Sequence, residues 1–181
     1  MFRFVPVCVA LCLLAAPTIT PAAAAKAAAK NDTQPELLGS AKSWSAYRAG
    51  EKKTLVCYIV GHPVKSLPAK AKRGRIALQV THRPAEKAFN VVSFELGYTA
   101  KPGSSADLDI DGKKFTLFTN KDTAWTRNAA TDSTVTTTLA RGRQAVLKAV
   151  SDHGTTTIDT YSLVGFTHAL LLVDKACHVK R

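Results

Sequence analysis

Short runs in which apolar and polar residues alternate recur along most of the chain, separated by turn residues. Alternation with a period of two places every second side chain on the same face of a β-strand. The runs are LVCYIV (55–60), RIALQVTH (75–82), NVVSFEL (90–96), ADLDIDGKKFTLF (106–118), QAVLKAV (144–150) and TTTIDTYSL (155–163). Many short strands at this spacing predict a mainly β fold, either an antiparallel β-sandwich or an open barrel.

The segment at 106–118 contains the strongest turn signal. Asp111 and Gly112 separate its two alternating halves, and an Asp-Gly pair favours the tight turn of a β-hairpin. The same residues match the start of a calcium-binding loop, but the twelfth position counted from Asp107 is Phe118, where such a loop needs a bidentate acid. The pattern therefore predicts a hairpin rather than a metal site.

Two other segments depart from the strand pattern. Residues 132–142 are rich in β-branched residues and fit a strand, yet Asp132 is also a suitable cap for a short helix that stops at Gly142. From Gly165 onward, apolar residues recur at helical spacing, which predicts a short C-terminal α-helix. Its apolar stripe comprises Phe166, Ala169, Leu170, Val173, Ala176 and Cys177, whereas Thr167, Asp174 and Lys175 fall outside the stripe.

The N-terminus has the features of a secretory signal peptide. Arg3 supplies a positive charge, an apolar stretch of 13 residues covers 4–16, and small residues at 22–25 offer a cleavage site. The apolar stretch is too short to span a bilayer, which takes about 20 residues, and no other segment is apolar enough to do so. The expected organisation is a signal peptide at 1–25, a flexible leader at 26–43 and a single β-rich domain at 44–181.

The four cysteines divide between the signal peptide and the domain. Cys8 and Cys12 leave with the signal peptide, so Cys57 and Cys177 remain. An even pair in an exported chain predicts one disulfide, and two separate buried thiols are the alternative. Cys57 falls on the apolar face of an early strand and Cys177 on the apolar stripe of the helix. A bond between them would link the last helix to the first core strand.

Basic residues are concentrated in one part of the chain. Residues 42–87 hold 11 basic and two acidic residues, within a chain that has 25 Lys and Arg against 13 Asp and Glu. Such a charge attracts anionic partners, for which we consider glycans, lipopolysaccharide and lipid head groups. Few aromatic residues lie between the charges, so a nucleic-acid platform is not supported. The candidate anion-binding residues are Lys70, Lys72, Arg73 and Arg75 in PAKAKRGR (68–75), and a solvated loop is the alternative.

No sequence motif identifies a catalytic, cofactor or metal site. Ser151, Asp152 and His153 are adjacent, and adjacent side chains diverge, so these three residues cannot form a catalytic relay. The five histidines lack the spacing of a known metal-binding or protease motif. We therefore expect no catalytic residues, no metal and no cofactor.

The C-terminal block GTTTIDTYSLVGFTHALLLVDKAC (154–177) resembles the invasion-associated locus B family of exported bacterial envelope proteins. Weaker matches are AW (124–125), FTLF (115–118), GYTA (97–100), VTHRP (80–84) and LVCYIV (55–60) after Trp44, so the resemblance covers roughly 44–177. The resemblance implies a β-rich domain that resides in the periplasm or at the cell envelope. It supplies no set of catalytic residues that could be assigned to positions of this chain. Some members are linked to host-cell invasion and virulence.

Three hypotheses for function follow. The leading one is an exported, non-enzymatic, disulfide-linked protein that acts by binding at the cell envelope. An envelope hydrolase whose site is assembled from distant residues is the first alternative, and a structural envelope component is the second. A pocket in which acidic and histidine side chains converge would favour the enzyme, and a flat basic face would favour the binding protein.

Overall fold

The alternating runs form strands in the computed structural model, which describes Met1 and residues 34–181. The strands are β1 (Glu36–Ala41), β2 (Trp44–Ala49), β3 (Val56–Gly61), β4 (Lys65–Leu67), β5 (Ala77–Arg83), β6 (Ala88–Glu95), β7 (Ser105–Ile110), β8 (Lys113–Asn120), β9 (Thr123–Trp125), β10 (Gln144–Val150) and β11 (Thr156–Ser162). The helices are α1 (Ala129–Arg141) and α2 (Phe166–Ala176). In this described part, neither helix has the length and hydrophobicity needed to cross a membrane.

All of these strands belong to one antiparallel sheet, which is not closed. The strand order is β1-β2-β3-β5-β6-β9-β8-β7-β10-β11-β4. Strands near the two ends of the sheet lie close to each other. The indole N–H of Trp44 on β2 donates to the carbonyl of Ser162 on β11 at 2.9 Å. The predicted mainly β class with a short C-terminal helix is confirmed. A single open sheet corresponds to the open barrel among the two predicted architectures.

Strand β1 corrects the expected domain boundary. The predicted flexible leader at 26–43 is wrong for Glu36–Ala41, which pairs with β2 along its whole length and packs against α2. Leu38 of this strand packs against the core while Leu37 is exposed, so the segment offers too few buried apolar positions to show a period. Gly39 allows the close approach, since a Cβ there would lie 2.8 Å from the side chain of Leu172. The predicted signal peptide and the first part of the leader lie outside the described residues, apart from Met1.

The predicted hairpin is confirmed at the turn between β7 and β8. Asp111 has φ 47° and Gly112 has φ 93°, and both values lie in the left-handed region that tight hairpin turns require. The carboxylate of Asp109 accepts a hydrogen bond from the amide of Gly112 at 2.7 Å. The carboxylate of Asp111 accepts the amide of Arg143 at 2.7 Å. Asp109 therefore stabilises the turn itself, and Asp111 connects the turn to the segment just before β10.

The ambiguous segment at 132–142 belongs to helix α1. Asn128, and not the expected Asp132, caps this helix by accepting an amide of its first turn. Asp132 is buried, accepts the amide of Val92 at 2.7 Å and accepts the hydroxyl of Thr126. Burial raises the pKa of Asp132, and both hydrogen bonds oppose that rise. The carboxylate of Asp132 thus connects α1 to β6 instead of capping the N-terminus of the helix.

Helix α2 packs against β1, β2, β3 and β5, and its predicted apolar stripe faces the core. The ring of Phe166 meets the ring of Trp44 edge-on at 4.8 Å between centroids. The predicted disulfide joins Cys57 on β3 to Cys177 just beyond the helix, with 6.0 Å between the Cα atoms. The helix is therefore both packed on the sheet and covalently attached to it.

Candidate functional site

The four basic residues of the predicted anion-binding cluster occupy different environments. Lys70 and Lys72 are exposed, and neither takes part in an ion pair among residues 34–181. The side chain of Arg73 is buried and paired with Asp159, whereas Arg75 is exposed and paired with Glu95. The structure therefore presents two free lysines here, and not the four free cations that the sequence suggests.

Arg73 connects its loop to the interior of the fold. Its two terminal nitrogens each donate to one carboxylate oxygen of Asp159 at 2.7 Å, and the two side chains are only 5% and 1% exposed. The guanidinium also donates to the carbonyl of Leu96 at 2.6 and 3.0 Å and lies 4.9 Å from the ring centroid of Tyr98. A guanidinium whose donors are already used inside the protein is not available to an external anion.

The other end of the same loop is attached to the edge of the sheet. Strand β4 pairs with β11, and the amide of Val64 donates to the carbonyl of Thr160 at 2.7 Å. At the end of the loop next to Arg73, the amide of Gly74 donates to the carbonyl of Gly97 at 2.8 Å. We call residues 65–74 the basic loop. Both of its ends are fixed by hydrogen bonds, and its lysines Lys65, Lys70 and Lys72 are exposed.

Arg75 lies beyond the basic loop, on the outward face of the sheet. It donates to Glu95 through Nε at 2.5 Å and through Nη2 at 2.6 Å, and Gln79 donates to the same carboxylate at 2.6 Å. These hydrogen bonds, with that of Arg75 first, hold the pKa of Glu95 below its ordinary value. Glu95 stays ionised at neutral pH and cancels most of the charge that Arg75 presents.

Arg75 also forms one wall of a small cleft on this face. The cleft has a volume of about 180 Å³ and lies over strands β2 and β3. Its lining residues are Ser43, Ser45, Tyr47, Tyr58, Val60, His62 and Arg75. We call it the tyrosine cleft, because two stacked tyrosine rings form its centre, with 5.4 Å between the ring centroids.

A buried histidine–aspartate pair lies on the opposite side of the sheet. His82 is fully buried, and its Nε2 lies 3.0 Å from the carboxylate of Asp174. Its Nδ1 accepts the amide of Asn90 at 3.0 Å, which makes Nε2 the protonated nitrogen. Arg181 pairs with the same carboxylate at 2.5 Å. Both ring nitrogens of His82 are therefore occupied within the fold.

Asp174 departs from the predicted pattern, which placed it outside the apolar stripe of α2. Asp174 is only 5% exposed. A carboxylate can be buried there because His82 on β5 and Arg181 at the C-terminal end donate hydrogen bonds to it. Burial alone would raise the pKa of Asp174, but these bonds and the nearby positive charge outweigh burial and lower it. The lowered pKa means that the network stabilises the fold at neutral pH and weakens as acid protonates the carboxylate.

A wider groove runs between α1, α2 and the C-terminal residues. It has a volume of about 400 Å³ and includes Asn90, Leu171, Asp174 and Arg181. Leu171 is 59% exposed there. Among residues 34–181, no three His, Cys, Asp or Glu side chains come together in a way that could hold a metal ion.

Sequence reasoning did not identify the acidic partners of these basic residues. Asp159 alternates with Thr157 and Tyr161 on the buried face of β11, and an acid on a buried face needs a partner. That alternation was the available signal for a buried ion pair. Glu95 offered no comparable signal, because it lies on the half-exposed face of β6.

Comparison with known proteins identifies one family. A family model described as "Invasion associated locus B (IalB) protein" matches residues 44–174, which is more than half of the chain. The match begins at β2 and ends within α2, so it includes the basic loop and every lining residue of the tyrosine cleft except Ser43. Neither a curated protein nor a solved structure matches the chain.

Proposed function

The chain belongs to the invasion associated locus B family, and from that premise we propose that it is an exported envelope protein that binds an anionic component. In this proposal the protein resides in the periplasm or at the cell surface and has no catalytic role. Its partner carries clustered negative charge, as glycans, lipopolysaccharide and lipid head groups do. The basic loop makes the contact.

The disulfide between Cys57 and Cys177 supports export. Disulfides form and persist in oxidising compartments, which include the bacterial periplasm and the extracellular space. The bond spans 120 residues and attaches α2 to β3, so the fold contains a link that the cytosol would tend to reduce. The signal-peptide features of residues 1–25 predict the same location.

The observation that carries the binding proposal is how the basic loop is held. Arg73 attaches the loop to Asp159 on β11, and β4 attaches it to the same strand. Lys65 lies in β4, and Lys70 and Lys72 lie between the two attachments. These three exposed lysines have no acidic partner among the described residues. A loop whose ends are already fixed loses less conformational entropy when it binds than a mobile loop does.

The histidine–aspartate pair gives the hydrolase alternative little support. A general base must reach a substrate proton through a free nitrogen. His82 is fully buried, its Nδ1 accepts the amide of Asn90, and its Nε2 bonds to Asp174. These contacts are those of a structural network between β5, β6 and α2, and we therefore favour a binding role.

Expression with the native N-terminus in a Gram-negative host tests export. We expect the periplasmic protein to begin after Ala25, since the small residues at 22–25 offer the cleavage site. Intact mass measurement of the periplasmic fraction gives the result directly. A matched chain that starts at Lys26 should stay in the cytoplasm with reduced cysteines. An intact Met1 in the periplasmic fraction, or equal export of both chains, would contradict the proposal.

Charge reversal in the basic loop tests the contact. We expect Lys70→Glu with Lys72→Glu to weaken binding to anionic oligosaccharides or anionic vesicles about tenfold or more, because each lysine near an anionic surface contributes about 1 kcal/mol. Binding should also weaken as ionic strength rises above about 0.15 M, where the Debye length is about 8 Å. Isothermal titration calorimetry at two salt concentrations measures both effects. Comparing the two probes shows whether a sugar or a lipid is the source of the charge.

The matched control is Lys113→Glu with Lys114→Glu on β8. Lys114 lies opposite Asp109 in the hairpin register, so its positive field is partly cancelled. This control should reduce binding less than the loop variant does. Equal losses for both variants, or binding that ignores salt, would leave the basic loop as an ordinary solvated surface.

A further inference from the structure

Two tyrosines face outward at the centre of the tyrosine cleft. Tyr47 on β2 lies directly opposite Tyr58 on β3, and their planes are inclined by only 20°. The residues that alternate with them, Ala46 and Cys57, are fully buried, so both tyrosines point away from the core. Both are half-exposed, on a sheet face where polar side chains would be the usual choice.

The polar wall of the cleft is already held in place. Arg75 is oriented by its two hydrogen bonds to Glu95, and its Nη1 has no hydrogen-bond partner among residues 34–181. The Nδ1–H of His62 donates to the carbonyl of Ile76 at 2.9 Å, which leaves Nε2 as a free acceptor. The cleft thus offers one donor and one acceptor whose positions are fixed before any ligand arrives.

The tyrosine hydroxyls add two more polar groups. Neither the hydroxyl of Tyr47 nor that of Tyr58 has a hydrogen-bond partner in the described part of the chain. Partial burial raises the pKa of Tyr58, with a further contribution from Tyr47, so its hydroxyl remains protonated and able to donate. The side chain of Ser45, also in the lining, bonds to Ser40 at 3.0 Å.

This combination of groups suits a sugar ring better than a simple anion. A sugar presents C–H groups that pack on aromatic rings and hydroxyls that bond to arginine, histidine and tyrosine. A bare phosphate or carboxylate would depend on net positive charge, but Glu95 cancels most of the charge of Arg75. A glycerophosphate head group presents neither a ring nor a quaternary ammonium to pack on the tyrosine rings. The volume of about 180 Å³ has room for a single small ring.

We propose that the tyrosine cleft binds one pyranose unit of an anionic glycan. This inference rests on the proposed function, and it adds the ligand class and the position of the specific contact. The basic loop attracts the charged polymer, and the cleft selects a sugar unit within it. Tyr58 packs on the ring of the sugar, while Arg75 and His62 bond to its hydroxyls.

The test uses the mature protein with four probes: an octamer of oligogalacturonate, a heparin octasaccharide, polyphosphate of matched charge, and vesicles that contain an anionic phospholipid. With isotope-labelled protein, titration with either oligosaccharide should shift the NMR signals of Tyr47, Tyr58 and Arg75. Tyr58→Ala should weaken oligosaccharide binding about tenfold, the scale of a central aromatic contact. Tyr58→Phe keeps the ring and should lose less than about threefold.

Two controls separate the cleft from the rest of the surface. Phe118→Ala removes a half-exposed aromatic side chain from β8, outside the cleft, and should leave oligosaccharide binding unchanged. Binding of polyphosphate should depend on Lys70 and Lys72 and ignore Tyr58→Ala. The shifts measured on the wild-type protein report the contact even if Tyr58→Ala does not fold.

The outcomes distinguish this inference from the proposed function. If oligosaccharides bind through Lys70 and Lys72 but neither shift the cleft signals nor respond to Tyr58→Ala, the cleft proposal is overturned and the proposed function stands. Binding of polyphosphate or vesicles alone, without either oligosaccharide, would likewise overturn the cleft proposal and leave the proposed function standing. If none of the four probes binds the wild-type protein, the proposed function itself fails.

Discussion

Replacing Asp159 with alanine is expected to lower the free energy of unfolding by about 3–5 kcal/mol, which is a large part of the stability of a domain this size. The substitution leaves the guanidinium of Arg73 buried without its carboxylate, at a side-chain exposure of 5%. Uncompensated burial of a charge is among the most costly changes a fold can undergo. Urea unfolding, followed by tryptophan fluorescence, measures the loss.

The matched control is the exposed pair of Arg75 and Glu95. Glu95→Ala should cost about 1 kcal/mol or less, because Arg75 is 63% exposed and water solvates its charge when the carboxylate is removed. Replacing both partners of the buried pair, with Arg73→Met and Asp159→Leu, should recover much of the stability lost in Asp159→Ala. A cost for Asp159→Ala no greater than that for Glu95→Ala would contradict the assignment of Arg73 as a buried anchor.

Removing the disulfide is expected to lower the free energy of unfolding by about 4–5 kcal/mol. Cys57 and Cys177 are separated by 120 residues, and closing a loop of that length greatly restricts the unfolded chain. The variant Cys57→Ala with Cys177→Ala removes the link without leaving free thiols. Its urea midpoint, compared with that of the oxidised wild-type protein, gives the magnitude.

Thiol labelling provides the independent check on the bond. The native protein purified from the periplasm should show no reactive thiol until a reductant is added, even after unfolding in urea. Cys57→Ala should show one thiol, at Cys177, once the protein is unfolded, because that residue is 2% exposed in the fold. Labelling of both cysteines in the unreduced, unfolded wild-type protein would show that the link does not form.

The basic excess of residues 42–87 illustrates why a charge count along the chain overstates the field in space. Arg73 and Arg75 meet acids from outside that range, Asp159 and Glu95. Arg48 similarly lies 3.9 Å from Glu36, which precedes the range. Strand pairing brings these acids to the basic segment, and no local pattern indicates which basic residue each acid meets. The candidate binding surface is therefore smaller than the sequence suggests and consists of lysines.

The tyrosine cleft could not be predicted from the sequence for a related reason. Tyr47 and Tyr58 each occupy an ordinary outward position of an alternating strand. They become one site only because β2 and β3 pair in a register that places them opposite each other. A shift of that register by one residue would place the two rings on opposite faces of the sheet. Arg75 joins them from the segment just before β5.

Some properties were determined by the sequence alone, because they depend on neighbours along the chain. Alternation identified most strands of the sheet, helical spacing identified α2, and the Asp111-Gly112 turn identified the β7–β8 hairpin. The pairing of Cys57 with Cys177 followed from their being the two cysteines that remain once the predicted signal peptide is removed, and both were placed on apolar faces. Each of these signals is local, since backbone geometry sets which side chains share a face.

Other properties were decided only by the tertiary structure. Strands β1, β4 and β9 owe their conformation to the strands beside them, because they are short or lack an apolar period. The partners of Arg73 and His82 are 86 and 92 residues away along the chain. The order and register of the strands depend on how the whole sheet buries its apolar face. That arrangement places Asp159 beside Arg73 and makes a predicted anion-binding arginine a structural anchor.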